Sequence, residues 1–442
     1  MPSQTLHSPL YLLISDMNEE HFNPVSLCPG LDFVFLRGAA WEANVGAGSA
    51  PANLAAKVRL FGDPLLEAFT IEETSASGSV PVLRATNNTT FDVVLIAGQL
   101  VKGGKQNRGV NTDILVCSGT SANVPVTCVE QGRWSGRPGA RFQHGGVEPI
   151  SIRGAKFRDV SSRRRSSDGF HADQGAVWSH IGHMSRSLHA TSDSNDLLAS
   201  LEQVKSRRAQ RAPGESLHGE SLHGDPGVDV TAEFEMHERR VRMLQDDAQR
   251  MLELMRGLLG RGEVDAVRDH RHRLDRLLGE ISDLQREIEH LRRQRATPGF
   301  APTVTTDMLA KADEAARGAI GLLVFFNGEF LAGDIFAKPE WFATFYGDLR
   351  DSALMTWDMV AMRHAAAGRQ MSAGSAEKTR ATALSVVHDA IRGNWNDRPA
   401  AAHGRAQLLE HPYLEGASLA DNDGTPLHVL VGSKHTPEIL RA

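Results

Sequence analysis

The feature that most restricts the fold of this chain is a long region of helical periodicity at residues 231–296. Apolar side chains recur there at alternating spacings of three and four, first from Phe234 to Leu258 and again from Leu274 to Leu291. Such runs form the a and d positions of packed helices, and the glycines around Gly260 interrupt the pattern between them. The sequence predicts two helices folded back as a long antiparallel coiled-coil hairpin, with their charged faces in solvent.

The sequence on either side of this region is typical of a globular protein. Short β-branched runs separated by Gly, Pro, Asn and Thr fill residues 1–150, and strand and helix patterns follow residue 300. We therefore predict an α+β fold, a β-rich body with C-terminal helices, interrupted by the long coiled-coil hairpin. The predicted domains are a discontinuous body at 1–183 and 300–442, a flexible linker at 184–230 and the hairpin insertion at 231–296.

Composition and charge limit the class of protein. The 442 residues are 41% apolar and 23% charged, which suits a globular chain. No apolar run approaches the roughly 20 residues of a membrane span, and three scattered cysteines are too few for a disulfide framework, so we predict a cytoplasmic protein with no membrane contact. A net charge of -6 and 6% aromatic residues argue against nucleic acid. A basic run at 153–165 keeps nucleic-acid contact as a minor alternative.

The first candidate binding motif is a polar segment between two apolar strands. Gly103 and Gly104 let the backbone approach a ligand, and the residues after them supply donors and amides. These donors suit a phosphate, a carboxylate or a polar sugar, although the spacing matches no known phosphate loop. The alternative is a tight β-turn whose amides satisfy neighbouring backbone. The predicted ligand-binding residues here are Lys105, Gln106, Asn107, Arg108 and Asn111.

A second cluster lies at the end of a predicted strand. Cys128 and Glu130 share one strand face, and Arg133 and Trp134 follow directly. A carboxylate beside a guanidinium is suited to proton transfer, so Glu130 is a candidate catalytic residue, and Arg133 and Trp134 are candidate ligand-binding residues. The alternative is structural, with Cys128 in the core and Glu130 paired with Arg133. Cys128 as a nucleophile is the weaker hypothesis.

Asp334 is the second candidate catalytic residue. It lies on a predicted strand that follows the Asn327-Gly328 turn, and it either caps a local turn or reaches the cluster around Lys105. The 19 histidines form no known metal-binding motif. The sequence therefore predicts no metal site and leaves the cofactor unknown.

Several motifs together resemble a bacterial family, the ARG-and-rhodanese-phosphatase-superfamily-associated protein domain. The resemblance rests on GQLVKGGKQNR at 98–108 and PVTCVEQGRW at 125–134, with shorter similarities at Leu65, Gln174 and Gly333. It covers about 60–180 and 318–360. The family more often has glutamate where this chain has Gln99, whose amide cannot take up a proton.

The resemblance implies a role near nucleotide or ADP-ribose metabolism, because the family name records an association with ADP-ribosylglycohydrolases and phosphatases. It implies no particular reaction. Our first hypothesis is that the body binds, or hydrolyses, a small anionic nucleotide-type molecule related to ADP-ribose or NAD. The alternative is a non-catalytic assembly protein that self-associates, or docks a partner protein, through residues 231–296.

Overall fold

The computed structural model describes residues 8–14, 22–38, 57–75, 78–133, 140–190, 192, 194–209, 230–260, 264–294, 304–366, 371 and 374–435. The chain divides into two compact units. The first comprises Met1–Glu215, Pro302–Arg363 and Met371–Ala442, and the second comprises Ser216–Ala301 and His364–Gln370.

The first unit contains three β-sheets. The largest has eight antiparallel strands in the order β1-β2-β12-β13-β17-β16-β15-β14, the second has six in the order β11-β7-β8-β10-β5-β4, and the third has three in the order β3-β6-β9. The strands are β1 Pro24–Cys28, β2 Leu31–Leu36, β3 Val58–Leu60, β4 Phe69–Glu73, β5 Val82–Asn87, β6 Asp92–Leu95, β7 Gln99–Lys102, β8 Arg108–Val110, β9 Ile114–Val116, β10 Ser121–Cys128, β11 Gln143–Val147, β12 Gly321–Phe326, β13 Glu329–Phe336, β14 Asn394–Arg398, β15 Arg405–Glu410, β16 Leu414–Ala420 and β17 Pro426–Ser433.

Helices cover the sheets of the first unit. They are α1 Pro9–Ile14, α2 Ile150–Arg165, α3 Gln174–Ser187, α4 Leu197–Ala209, α7 Thr306–Ala316, α8 Pro339–Ala366, which runs on past Arg363 into the second unit, and α9 Ala376–Arg392. The main apolar core lies on the eight-stranded sheet, where Phe33, Phe325 and Trp357 are completely buried. A smaller core fills the six-stranded and three-stranded sheets around Ile71, Val93 and Val124.

The second unit is built on two further helices, α5 Val230–Gly260 and α6 Val264–Gln294, of 31 residues each. They pack through a buried apolar cluster that includes Val241, Leu244, Leu274 and Ile281. These positions belong to the two periodic runs of the sequence, because side chains spaced by three and four residues lie on one face of a helix.

The predicted fold class was wrong in its architecture. The structure is α+β with large antiparallel sheets, but its described residues contain nine helices of 6 to 31 residues. Three of them, α2 to α4, precede the region of helical periodicity, so the helices are not confined to the C-terminal part. The second unit is a helix pair of moderate length and no long coiled coil. Among the side chains that the structure describes, its buried cluster runs from Val241 to Ala248 on α5 and from Leu274 to Ile288 on α6, with Met251 and Met255 packed against it.

The range predicted to be a linker, 184–230, contains the ordered helix α4. Leu197, Leu198, Leu201 and Val204 of α4 are buried in the main core, so this part of the range is folded. The domain boundaries themselves remain a prediction. No helix among the described residues is long and apolar enough to cross a membrane.

Candidate functional site

The polar motif at 103–108 forms the tight connection between β7 and β8. Gly103 and Gly104 have φ angles of 132° and 54°, which non-glycine residues rarely adopt. A Cβ on Gly104 would lie 2.2 Å from the ring of Phe142, so there is also no space for a side chain at this position. The side-chain oxygen of Asn107 accepts a 3.0 Å hydrogen bond from the Gly103 N–H and closes the turn.

Glu130 and Arg133 form an ion pair next to this turn. Arg133 donates from Nε to Oε1 and from Nη2 to Oε2 of Glu130, each at 2.6 Å, and a third bond of 3.0 Å runs from Nη1 to the Gly104 carbonyl. Glu130 is only 3% exposed, and its carboxylate also accepts bonds from the Asn107 N–H and the Ser194 hydroxyl. Burial opposes its charge, but these donors hold the pKa of Glu130 below its usual value.

A second carboxylate, Asp196, adjoins the first. Both of its oxygens accept bonds from the Asn107 amide at 3.1 and 3.2 Å, and Oδ1 also accepts from the Leu198 N–H at the start of α4. Its backbone pairs with that of Glu130. Burial, with the charge of Glu130 adding to it, raises the pKa of Asp196. The two neighbouring carboxyl groups are therefore shifted in opposite directions.

Arg108 lies beneath the turn with no solvent exposure. Its Nη1 is 3.4 Å from the Gln106 side-chain oxygen, and its Nη2 is 3.9 Å from Oε1 of Glu73 on β4. Burial lowers the pKa of Arg108. Glu73 also accepts a bond from the Lys105 N–H, and the Lys105 side chain is partly exposed. Lys105 and Arg133 therefore form the accessible rim of the cluster.

Two predicted ligand-binding residues fall outside this group. Asn111 is buried and bridges two segments, since its amide nitrogen donates to the Phe170 carbonyl and its oxygen accepts from the Thr127 hydroxyl. Trp134 lies outside the described residues, so the structure gives it no position.

Asp334 is bound in a different set of contacts. Arg153 donates two bonds to its carboxylate, at 2.7 and 2.5 Å, and a ring nitrogen of His428 lies 3.2 Å away. Burial opposes its charge, but Arg153 and His428 hold the pKa of Asp334 well below its usual range. The structure does not join Asp334 to Glu130, and its catalytic role remains a prediction that these contacts do not favour.

The environment of Cys128 suits a buried packing residue and does not suit a reactive thiol. Gln174 exchanges two 2.8 Å hydrogen bonds with the Cys128 backbone, which explains the Gln174 motif as a tie between α3 and β10. Burial raises the pKa of the Cys128 thiol, which opposes formation of a nucleophilic thiolate. No group of three potential metal ligands is present among the described residues.

Sequence reasoning missed the contributions of Glu73, Ser194 and Asp196. The signal for Asp196 was present, because an aspartate directly before the apolar run of Leu197 and Leu198 is a helix-start signature. No local pattern connects Glu73 with Arg108, since their contact arises only from sheet pairing. The basic run at 153–165 is α2, and it buries Arg153, Lys156 and Arg164 instead of presenting them to nucleic acid.

One comparison with known proteins matches the part of the chain that contains this cluster. Residues 57–219 match the family model of the ARG and Rhodanese-Phosphatase-superfamily-associated Protein domain. No curated protein and no solved structure gives a significant match. The matched range contains the turn at 103–108, both carboxylates and Arg133. The resemblance inferred from the motifs is confirmed over residues 57–219, which match this family, and its part at 318–360 lies outside the match.

Proposed function

We propose that this domain binds a small anionic molecule of the ADP-ribose or NAD class at the cluster around Glu130 and Arg133. One observation carries the proposal: segments far apart in sequence converge on one carboxylate. The Asn107 N–H, the Ser194 hydroxyl and the Arg133 guanidinium all bind Glu130. Arrays of this kind hold a functional side chain in one geometry.

The cations of the cluster suit a phosphate or diphosphate. Lys105 and Arg133 are partly exposed, and Arg108 lies buried below them. A guanidinium binds phosphate oxygens with parallel N–H bonds, and an ammonium adds a compact charge. A buried cation attracts an anion more strongly than an exposed one, because less water screens it. We assign ligand contact to Lys105 and Arg133, and long-range attraction to Arg108.

The two carboxyl groups have different roles in this proposal. Glu130 stays ionised and positions Arg133, since its pKa is lowered. Asp196 has a raised pKa and is the better proton carrier if the bound molecule is hydrolysed. Binding is the primary claim, and turnover is a second outcome of the same experiment.

Calorimetric titration and thermal shift tests with ADP-ribose, NAD and inorganic phosphate test the proposal. We expect binding of at least one probe, and a loss of affinity of about 1.5–3 kcal/mol, roughly tenfold or more, in Lys105→Ala. Lys311→Ala is the matched control, because Lys311 is an exposed lysine on α7. NMR of the same mixtures reports any hydrolysis.

Arg133 needs a paired design, because removal of Arg133 alone leaves Glu130 buried without its counter-ion. The double variant Glu130→Gln, Arg133→Gln keeps the cluster neutral. We expect it to fold and to lose binding. The absence of binding for all three probes to the wild-type protein contradicts the proposed ligand class, and unchanged affinity in both variants contradicts the proposed site.

A second candidate function is self-association through the helix pair. Met236, Met243 and Leu254 of α5 are 43%, 59% and 47% exposed, and spacings of 7 and 11 residues place them on one side of the helix. An exposed apolar stripe is a common feature of protein interfaces. We propose a second copy of this chain as its partner.

Light scattering tests this second candidate. The triple variant Met236→Gln, Met243→Gln, Leu254→Gln should lower the mass of an oligomer to that of a monomer. Leu252→Gln is the control, since Leu252 is 41% exposed but lies on a different side of α5. A wild-type protein that is monomeric at high concentration contradicts self-association.

A further inference from the structure

Arg164, in the last turn of α2, is a buried arginine that lacks an acidic partner. It is only 7% exposed, and it forms no ion pair with any residue that the structure describes. Its one hydrogen bond there is long, at 3.3 Å from Nη1 to the Thr112 hydroxyl, and the Phe170 ring centroid lies 5.4 Å from its guanidinium carbon. Burial of a charge without a partner is unfavourable, so buried arginines are usually paired.

The two other buried cations of α2 follow this rule. Arg153 donates two bonds to Asp334, and Lys156 pairs with Glu148. Arg164 is the exception, although it lies on the same helix and is almost as deeply buried. No contact within the described part of the chain therefore balances the charge of Arg164.

The unoccupied part of Arg164 is the edge of the guanidinium that carries Nε and Nη2. Thr112 binds Nη1, which lies on the other edge. Nε is buried and Nη2 reaches solvent, and neither donates to a residue that the structure describes. The N–H groups of Nε and Nη2 are parallel, and this geometry binds two oxygens of a phosphate or a carboxylate.

Two more arginines, Arg165 and Arg398, lie close enough for their charges to act on Arg164. Burial and these two charges lower the pKa of Arg164 to about 10, although Asp113 opposes the shift, so Arg164 stays charged at neutral pH. Both neighbours are partly exposed, and each donates one hydrogen bond to a backbone carbonyl. Neither forms an ion pair in the described part of the chain, so three guanidiniums share one region without a counter-ion.

The nearby acids do not balance this charge. Asp113 attracts Arg164, but its carboxylate is bonded to the His428 ring and pairs with no arginine among the described residues. Glu415 acts on Arg165, also without an ion pair there. The C-terminal end of α2 adds a negative charge of about one half, which is smaller than three positive charges. An excess of positive charge at a protein surface attracts anions.

We propose that Arg164, together with Arg165 and Arg398, binds the phosphate group of a small molecule at the C-terminal end of α2. Nη2 of Arg164 contacts the first oxygen from the solvent side, and Nε receives a second oxygen when the partly exposed side chains beside it move. Phosphate is favoured over carboxylate, because its two negative charges and its tetrahedral oxygens suit three separate guanidiniums.

This site is independent of the cluster around Glu130. It shares no residue with that cluster, and neither the predicted site residues nor the family motifs include Arg164, Arg165 or Arg398. The contact is made at the protein surface, so it requires an exposed N–H group and no enclosed cavity. The inference therefore does not rest on the function proposed above.

NMR of the arginine side chains of the full chain tests the proposal at Arg164 itself. Inorganic phosphate and ribose 5-phosphate are added separately to protein labelled with nitrogen-15 arginine, and sodium chloride at equal ionic strength controls for screening. We expect the Nε–H signal of Arg164, identified by its loss in Arg164→Gln or Arg164→Lys, to shift with at least one phosphate and not with chloride. A shift with ribose 5-phosphate alone assigns the site to phosphate esters, and a shift with inorganic phosphate alone assigns it to the free ion.

Calorimetric titration with the same probes measures what the guanidinium contributes. Arg164→Gln should weaken phosphate binding at this site by about tenfold or more, because it removes charge-assisted hydrogen bonds. Arg164→Lys should also weaken binding although it keeps the charge, because an ammonium has no parallel N–H groups. Arg163→Gln is the matched control. Arg163 lies in the same turn of α2 but is already paired with Asp159 and Asp168, so its loss should leave the affinity unchanged.

A Lys105→Ala background separates this site from the cluster around Glu130. The calorimetric titrations are made in that background, where the shift of the Arg164 signal should persist. If Arg164→Gln does not fold, Arg398→Gln takes its place, since Arg398 is partly exposed on β14 and its loss should also weaken binding. An Arg164 signal that responds to neither phosphate, or that responds equally to chloride, overturns the proposal. Unchanged phosphate affinity in the Arg164 or Arg398 variants overturns it as well.

Discussion

The guanidinium of Arg153 and the carboxylate of Asp334 form a two-bond ion pair, at 2.7 and 2.5 Å, in which both side chains are at most 7% exposed. Arg153 lies on α2 within the matched family domain, and Asp334 lies on β13 of the eight-stranded sheet. The pair therefore connects the domain at 57–219 to strands that are contributed by the C-terminal part of the chain.

Removal of one partner should leave the other charge buried and unbalanced. We expect Asp334→Asn to lower the free energy of unfolding by about 3–5 kcal/mol. Urea unfolding followed by circular dichroism gives the value. The exposed Asp423→Asn serves as the control and should change stability by less than about 0.5 kcal/mol. Equal effects of the two substitutions contradict a structural role for the Arg153–Asp334 pair.

His428 extends this ion pair and gives it a pH dependence. Its ring nitrogens lie 2.8 Å from Asp113 and 3.2 Å from Asp334. Burial disfavours the charged ring, but the two carboxylates raise the pKa of His428 to about 9. Since the folded pKa exceeds the unfolded value of about 6.5, His428 stabilises the fold fully below about pH 6.5, and this contribution is lost as pH rises through about 9.

The size of this effect follows from the pKa difference. The folded pKa of His428 lies about 2.5 above its unfolded value, which corresponds to roughly 3.4 kcal/mol. We expect the free energy of unfolding to fall by that order between about pH 6.5 and about pH 9, and His428→Gln to remove most of this slope. Denaturant unfolding at a series of pH values measures both. A wild-type slope that persists in His428→Gln assigns the pH dependence to another group.

Local patterns in the sequence predicted several parts of this structure correctly. The turn at Asn327-Gly328 joins β12 to β13, and the apolar spacing of residues 231–296 produces α5 and α6. Period and turn chemistry are local properties, so one chain reveals them. The prediction of a long coiled coil was wrong, because periodicity alone does not distinguish a long coiled coil from a pair of helices of moderate length.

The candidate site was predictable only in part. The turn residues Gln106 to Arg108 and the pair of Glu130 with Arg133 lie close in sequence, and the structure brings them together. The partners of Asp334 are 94 and 181 residues away, so no spacing rule could identify them. The sequence of β13 also does not show which side chains Asp334 will contact, because its neighbours depend on the order of the strands in the sheet.

Gly109 on β8 is required by a second buried ion pair. A Cβ at this position would lie 1.8 Å from Oε1 of Glu148 and 2.9 Å from Nζ of Lys156. Both side chains are at most 3% exposed, so neither can move into solvent without loss of the pair. We expect Gly109→Ala to destabilise the protein by about 1–3 kcal/mol in urea unfolding.

Gly279 is the control for Gly109, because it is a glycine with free space for a side chain. It lies on the exposed side of α6, and a Cβ there would meet nothing within 4 Å. Since alanine is the better helix former, Gly279→Ala should raise the stability of its unit by about 0.5–1 kcal/mol. A neutral Gly109→Ala would show that Glu148 and Lys156 repack freely.

The last prediction concerns the contact between Gln99 and His144. The Gln99 side-chain oxygen accepts the Ile96 N–H at 3.2 Å, so its amide nitrogen faces the Phe61 carbonyl at 2.7 Å and Nδ1 of His144 at 2.9 Å. An amide nitrogen only donates, which makes Nδ1 of His144 an acceptor. Nε2 must then carry the proton and donate to Asp348 at 2.8 Å.

Nitrogen-15 NMR of the His144 ring should therefore show a protonated Nε2 and an unprotonated Nδ1. Gln99→Glu replaces the donor by a carboxylate and should place a proton on Nδ1. Gln203→Glu on α4 is the control for the added charge, because Gln203 is exposed. A wild-type His144 ring that is protonated on Nδ1 would show that Gln99 does not set the tautomer, because a protonated Nδ1 has no lone pair to accept a hydrogen bond from the Gln99 amide.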